Sequence, residues 1–108
     1  MIVALSRRAD FDQLRSNGVR RTSGPIMATV LISHRTGEDP PVIRLAFALP
    51  RSFGSAVQRN RARRRCRAVI RELDAHQSFS GSALIRCSPE VASSSIDELR
   101  AHVFKVLR

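Results

Sequence analysis

Seven arginines fall within the 13 residues 59–71, and the apolar residues around them recur with the spacing of an α-helix. These apolar residues share one stripe: Ala62, Cys66, Val69, Ile70 and Leu73. Like charges one helical turn apart destabilise a helix by about a few tenths of a kcal/mol per pair. A helix of this composition therefore needs a core against which the stripe can pack. We predict such a helix from about Ala56 to Leu73, with arginine covering its other faces.

The positive charge of the chain is concentrated around this helix. Residues 41–71 contain nine arginines and no aspartate or glutamate, whereas the rest of the 108-residue chain, with ten basic and nine acidic residues, nets +1. Eighteen of the 19 basic residues are arginine, whose planar guanidinium binds phosphates and stacks on bases. A face that serves only solubility is usually mixed in sign, and codon preference explains arginine over lysine but not the missing acids. The window indicates a surface for a polyanion, and for RNA in particular.

Both ends of the chain carry further helical patterns. Residues 7–17 are typical of a short helix that Ser6 caps and Gly18 ends. A last helix follows Ser95, which forms the pattern of a capping box with Glu98 three residues later. Its apolar stripe runs towards the end of the chain: Ile96, Leu99, Val103, Val106 and Leu107. We therefore predict a helix at each end.

Three segments alternate apolar and polar residues as half-buried strands do: 26–32, 43–49 and 82–87. The segment TGEDPP at 36–41 is typical of the turn between the first two. The elements follow the order α-β-β-α-β-α, which predicts an α+β fold with a single sheet. A chain of 108 residues suffices for one domain, which we assign to residues 1–108.

The chemistry-bearing residues form no catalytic or metal motif. Cys66 and Cys87 lack the spacing of a zinc site or a disulfide framework, and we interpret both as small buried residues. His34, His76 and His102 share no spacing, and the nine carboxylates are scattered along the chain. The sequence therefore predicts no catalytic residue and no metal ligand.

The apolar segments and the N-terminal region bear on location. No apolar segment approaches the roughly 20 residues that a membrane helix needs. Arg7, Arg8 and Asp10 interrupt the region that would be apolar in a secretory signal. We expect no membrane partner and a cytoplasmic location.

The segment FALPRSFGSAVQRNRARRRCR, residues 47–67, resembles the signature of the bacterial ribonuclease P protein subunit. That signature is Gly-x-Ala-Val-x-Arg-Asn-Arg-x-(Lys/Arg)-Arg-x-x-Arg, and nine positions match it: Gly54, Ala56, Val57, Arg59, Asn60, Arg61, Arg63, Arg64 and Arg67. The resemblance spans residues 7 to about 87. It departs from the family at Pro50-Arg51-Ser52, where Ser-Lys-Lys is usual, and at Arg15, where an aromatic residue is common.

The resemblance has implications for both fold and activity. It implies a single four-stranded sheet, with one short strand beyond the three segments above, and a left-handed βαβ crossover that the usual right-handed rule would not predict. It also implies that the arginine helix binds the catalytic RNA of ribonuclease P. A cleft between the sheet and the N-terminal helix would hold the 5′ leader of precursor tRNA. The RNA subunit would hold Mg²⁺ and catalyse leader removal, so the protein would be an enzyme subunit with no catalytic residue. We also expect no obligate protein partner.

Matching positions assign individual residues to these two RNAs. The resemblance assigns five arginines to the catalytic RNA: Arg51, Arg61, Arg63, Arg64 and Arg65. It assigns four residues to the precursor tRNA leader: Phe11, Arg59, Asn60 and Arg67. For Phe11, the residue alone favours a place in the core, and only the resemblance favours base stacking. We assign Phe47 and Phe104 to the core.

Two other classes of protein share this size and charge. One is a structural RNA-binding protein such as a small ribosomal protein, which would bind ribosomal RNA without affecting tRNA processing. The other is a DNA-binding regulator, which would bind duplexes selectively through the basic helix. Neither class explains the Arg-Asn-Arg spacing at 59–61.

Overall fold

One mixed sheet of five strands forms the centre of the protein in a computed structural model, which describes residues 1–33, 40–76 and 79–107. The strands are β1 (Ile2–Ala4), β2 (Val19–Ser23), β3 (Ile26–Ile32), β4 (Ile43–Ala48) and β5 (Gly81–Cys87). Their order across the sheet is β1-β4-β5-β3-β2. β4 runs parallel to both β1 and β5, whereas β3 runs antiparallel to both β5 and β2.

Helices pack on both faces of this sheet. The described helices are α1 (Arg8–Asn17), α2 (Ala56–Ala75) and α3 (Ile96–Leu107), with short 3₁₀ turns at Arg51–Phe53 and Pro89–Ser93. α1 contacts β3 and β5, whereas α3 packs against α2, β2 and β3. α2 connects the adjacent parallel strands β4 and β5, so the predicted βαβ unit is present. The hand of its crossover stays a prediction.

The α+β class and the single sheet are confirmed, but the sheet has five strands where the resemblance implies four. The three strands expected from alternation correspond to β3, β4 and β5. The edge strands β1 and β2 carry little of that alternation, since β1 has three residues and β2 reads VRRTS. β1 is defined by its main-chain pairing with β4, and β2 is defined by its pairing with β3. The pattern of apolar residues in the sequence indicates neither pairing.

The main core lies between one face of the sheet and the pair of helices α2 and α3. All five residues of the predicted α2 stripe are buried, which confirms that stripe. Ile32 and Ile96 stay largely exposed because they lie at the ends of their elements. Phe47 and Phe104 pack against the core and are partly buried. Cys66 and Cys87 are both buried, as predicted.

A tight hairpin turn joins β2 to β3 and brings the chain against α3. Gly24 in this turn has a φ of +55°, and a Cβ built on it would lie 2.5 Å from the ring of His102. The same ring accepts or donates a hydrogen bond of 2.8 Å between its Nδ1 and the Ser23 hydroxyl. Both the left-handed backbone and the close approach of the ring therefore require glycine at this turn.

The predicted helix caps are correct at one end of the chain and wrong at the other. The backbone N–H of Glu98 donates to the Ser95 hydroxyl, and the N–H of Ser95 donates to the Glu98 carboxylate, which confirms the capping box. The predicted cap at Ser6 is wrong, since α1 starts after Arg7 with no side-chain cap. Of the turn predicted at 36–41, residues 36–39 lie outside the described part of the chain.

Candidate nucleic-acid interface

The beginning of α2 is fixed by its own side chains. Ser55 and Gln58 form a capping box in which each side chain accepts a hydrogen bond from the other residue's backbone N–H. Arg59 donates a hydrogen bond of 2.7 Å to the carbonyl oxygen of Gly54. The Arg59 guanidinium therefore lies beside the entrance to the helix, with one of its donors already engaged.

Two further contacts orient side chains along the exposed face of α2. Arg63 donates a hydrogen bond of 2.8 Å to the Asn60 side-chain oxygen. The guanidinium carbon of Arg67 lies 5.5 Å from the centroid of the Phe47 ring, which is a cation–π contact. Side chains that are already oriented lose less conformational entropy when they bind a ligand.

Arg65 differs from its neighbours because its guanidinium binds the protein's own backbone. One nitrogen donates to the carbonyl oxygen of Val91 over 2.9 Å, and the other donates to the carbonyl oxygen of Ser94. Val91 is fully buried, so these hydrogen bonds attach the 89–94 turn to the middle of α2. Arg65 stays a predicted RNA contact, but this geometry indicates a structural role.

Three of the predicted contacts have free guanidinium groups. Arg51, Arg61 and Arg64 are exposed, and within the described residues none of their guanidinium groups forms a hydrogen bond or an ion pair. A free arginine can give all its donors to a phosphate without breaking an existing contact. These three side chains are the most available for an anionic ligand.

A depression of about 500 Å³ on α2 brings several predicted residues together. Its lining is Val57, Asn60, Arg63, Arg64 and Arg67. Val57 is 76% exposed and supplies an apolar surface among the polar groups. Such a mixed surface suits a nucleotide, whose phosphate is charged and whose base and sugar carry apolar area.

A second concavity, of about 380 Å³, lies between α1 and the opposite face of the sheet. Its lining is Phe11, Leu14, Arg15, Gly18, Arg20, Thr29, Leu84 and Arg86. Phe11 is partly buried in its wall, whereas Leu14 is fully buried beneath α1. We name this concavity the α1 cleft; it occupies the place that the resemblance implies for the leader.

The structure separates the four residues predicted to contact the leader. Phe11 lines the α1 cleft, whereas Asn60 and Arg67 line the depression on α2. Arg20 and Arg86 line the α1 cleft but have no predicted role. The alternation of β5, with Ala83, Ile85 and Cys87 buried, was the available signal that Arg86 faces away from the main core.

An ion pair between Glu72 of α2 and Arg100 of α3 joins these two helices. Arg100 donates two hydrogen bonds to the Glu72 carboxylate, of 2.7 and 3.1 Å, and a third to Asp97. The Arg100 guanidinium holds the pKa of the Glu72 carboxyl below its usual range. These contacts connect α3 to α2, and among the described residues no carboxylate forms an ion pair with Arg51, Arg61 or Arg64.

The other reactive groups offer no recognisable site. Cys66 and Cys87 sulfurs lie 4.0 Å apart in the core, and the pKa of the Cys87 thiol is raised by its contact with Cys66 and by burial. Among residues 1–33, 40–76 and 79–107, no three His, Cys, Asp or Glu side chains are grouped as they are around a metal ion. Within the same ranges, no helix has the length and apolar character needed to cross a membrane.

The fold and the charge distribution define the class of the protein: it is a small, strongly basic α+β protein with arginine-lined concavities at the α1 cleft and on α2. The family model described as Ribonuclease P matches residues 3–108. The chain therefore belongs to the ribonuclease P protein family, which confirms the resemblance.

Individual relatives agree with this membership. A ribonuclease P protein component from Chloroflexus aggregans is 35% identical over 105 residues, which cover 96% of this chain and 74% of that protein. Its counterpart from Thermobifida fusca is 29% identical over 109 residues, covering 96% of this chain and 73% of that protein. The solved structure of the RNase P protein from Thermotoga maritima is similar with a TM-score of 0.74 at 17% identity, covering 97% of this chain and 94% of that one. At that identity the structural likeness supports the fold alone.

Proposed function

We propose that this chain is the protein subunit of ribonuclease P and that residues 1–108 form a single RNA-binding domain. It binds the catalytic RNA and the 5′ leader of precursor tRNA, and assists the Mg²⁺-dependent endonucleolytic removal of that leader in the cytoplasm. The observation that carries the proposal is a set of exposed arginines on and before α2 whose side chains have no partner among the described residues, in a chain of this family.

The contacts of the arginines support a division of roles. The side chains of Arg51, Arg61 and Arg64 have no partner within the part of the chain that the structure describes, and we propose that they bind phosphates of the catalytic RNA, together with Arg63. We propose a structural role for Arg65, the fifth arginine that the resemblance assigns to the catalytic RNA, because its guanidinium already donates to the carbonyl oxygens of Val91 and Ser94.

The leader is proposed to extend from the α1 cleft towards α2. In the cleft, the Phe11 ring is available for base stacking. On the α2 side, Arg59, Asn60 and Arg67 are the proposed contacts. The alternative for Phe11 is a packing role, since its ring is partly buried.

The chemical step is proposed to belong to the RNA subunit. Magnesium prefers oxygen ligands, chiefly carboxylates and phosphates. The described carboxylates are not grouped, and Glu72, Asp97 and Glu98 are already bound within the protein, so they do not fit a protein-held Mg²⁺ site. The RNA phosphates would hold the ion, and the arginines would lower the Mg²⁺ requirement by neutralising phosphate repulsion.

The decisive experiment is cleavage of a precursor tRNA by a bacterial ribonuclease P RNA at low Mg²⁺, with and without this protein. We expect the protein to rescue cleavage and the product to carry the mature tRNA 5′ end. A matched control is the protein with Arg61 and Arg64 both changed to alanine, which should rescue poorly.

Two outcomes would contradict the proposal. If the protein binds the ribonuclease P RNA but does not rescue cleavage, a structural RNA-binding protein, such as a ribosomal protein, becomes the better interpretation. If it instead binds a DNA duplex with sequence selectivity, the regulator is the better interpretation.

A further inference from the structure

A groove at the edge of the sheet separates β1 from the second half of α2. It has a volume of about 290 Å³ and is lined by Ile2, Val3, Ala4, Leu45, Arg67 and Arg71. This groove is distinct from the α1 cleft, which lies on the opposite face of the sheet, and it meets the depression on α2 only at Arg67. None of the roles assigned above uses Arg71.

One wall of the groove is a pair of arginines. Arg67 and Arg71 are one helical turn apart, so their guanidinium groups can reach the same ligand. Both are exposed; Arg71 forms no hydrogen bond or ion pair within the described residues, and Arg67 is oriented by the Phe47 ring. The two like charges repel each other, and an anion bound between them would offset this repulsion by attracting both guanidinium groups.

The other wall is apolar. Ala4 pairs with Leu45 across β1 and β4, and Ile2 packs against the core. Because β1 is the edge strand, no further strand of the described residues covers this side of the sheet. An arginine pair facing an apolar wall fits the two parts of a nucleotide, the phosphate and the base with its sugar.

We propose that this groove is a third RNA-binding site, in which Arg67 and Arg71 hold one phosphate and the attached nucleoside packs against Ile2, Ala4 and Leu45. The proposal rests on the proposed function and extends it beyond the two surfaces already described. The nucleotide belongs either to the catalytic RNA or to the leader of precursor tRNA, which share this chemistry.

The test measures RNA affinity against salt concentration for the full-length protein and for Arg71→Ala. The probes are a bacterial ribonuclease P RNA alone, and precursor and mature tRNA bound to the reconstituted complex. Lys105→Ala is the matched control because Lys105, on α3, is also an exposed cation with no partner among residues 1–33, 40–76 and 79–107. We expect Arg71→Ala to weaken binding by about tenfold and to reduce the log–log salt slope by about 1, and the control to change affinity by less than about twofold.

The pattern across the probes identifies the source of the nucleotide. A loss for the ribonuclease P RNA assigns the groove to the catalytic RNA, and a loss for precursor but not mature tRNA assigns it to the leader. Equal effects of Arg71→Ala and Lys105→Ala on every probe would overturn the proposal. If the unaltered protein binds none of these RNAs, the proposed function itself fails.

A second pair of variants tests the apolar wall without removing an arginine. Ala4→Glu places a carboxylate in the groove, and Ala101→Glu makes the same change on the exposed surface of α3. We expect Ala4→Glu to weaken the same RNA interaction as Arg71→Ala, with Ala101→Glu close to the parent protein. Binding by Ala4→Glu that matches Ala101→Glu, with both variants folded, would contradict the proposed nucleotide site.

Discussion

Arg65→Ala is expected to destabilise the fold while leaving the number of phosphate contacts unchanged. The substitution removes two hydrogen bonds from a charged donor to the carbonyl oxygens of Val91 and Ser94. Hydrogen bonds to charged groups contribute roughly 1.5 to 3 kcal/mol each. Because the Arg65 side chain is only half-buried, water can partly replace its hydrogen bonds in the alanine variant. We therefore expect a loss of about 2 kcal/mol in the free energy of unfolding.

For a domain of about this length, 1 kcal/mol changes Tm by roughly 4 to 8 °C, so the expected fall is roughly 8 to 16 °C. Thermal unfolding followed by circular dichroism measures it. The neighbouring variant Arg64→Ala is the control, because Arg64 is exposed and has no partner among the described residues. Its Tm should stay within a few degrees of the parent protein.

The salt dependence of RNA affinity should also distinguish the same two variants, but here the larger effect is expected for Arg64→Ala. Arg64→Ala should reduce the log–log slope by about 1, whereas Arg65→Ala, assayed below its Tm, should retain the parent slope. Arg65→Lys keeps the charge but cannot reproduce the two-pronged contact, so its Tm should lie between the alanine variant and the parent. A reduced slope with an unchanged Tm for Arg65→Ala would refute the structural role and favour a direct RNA contact.

Three further outcomes are expected. Arg61→Ala combined with Arg64→Ala should weaken binding to the catalytic RNA by about 2 to 4 kcal/mol with no loss of fold, and an unchanged affinity in a filter-binding assay would contradict their assignment. Phe11→Ala should weaken precursor tRNA relative to mature tRNA in competition binding, whereas equal losses on both, or unfolding, would indicate a packing residue. The lowered pKa of Glu72 beside Arg100 stabilises the fold above the carboxyl's usual pKa and loses that effect as pH falls through the folded value. Glu72→Gln should therefore lower Tm at neutral pH and make Tm less sensitive to acidification, which thermal scans across pH will check.

The part of the fold that the sequence predicts is the part that apolar periodicity specifies. The α2 stripe is predicted in full because only a 3.6-residue repeat brings residues as distant as Ala62 and Leu73 onto one buried face. β2 is missed because Val19 is exposed and only Ser23 of the strand is buried, so pairing with β3 is the only feature that defines it. Edge strands of this kind have no periodicity to detect.

The candidate sites follow the same rule. The α2 residues are predicted by a motif of fixed spacing, and the structure places four of them around one depression: Asn60, Arg63, Arg64 and Arg67. Arg86 of the α1 cleft and Arg71 of the groove between β1 and α2 belong to no motif. Their environment is set by α1 and β1, which are distant from them in the chain, so spacing alone cannot assign them.

The number of phosphate contacts that an arginine-rich helix makes cannot be obtained by counting its arginines. Five to seven contacts from the 59–71 segment would give a log–log salt slope of about −4 to −6. Arg59, Arg63, Arg65 and Arg67 contact the protein's own groups, and any of them that turned to a phosphate would give up an existing contact. Arg64 and Arg65 are adjacent in the chain, yet Arg65 is hydrogen-bonded to a turn 26 residues later, whereas the Arg64 side chain has no partner among the described residues. We therefore expect a slope at the shallow end of that range, because part of the positive charge of α2 stabilises the fold that presents the rest.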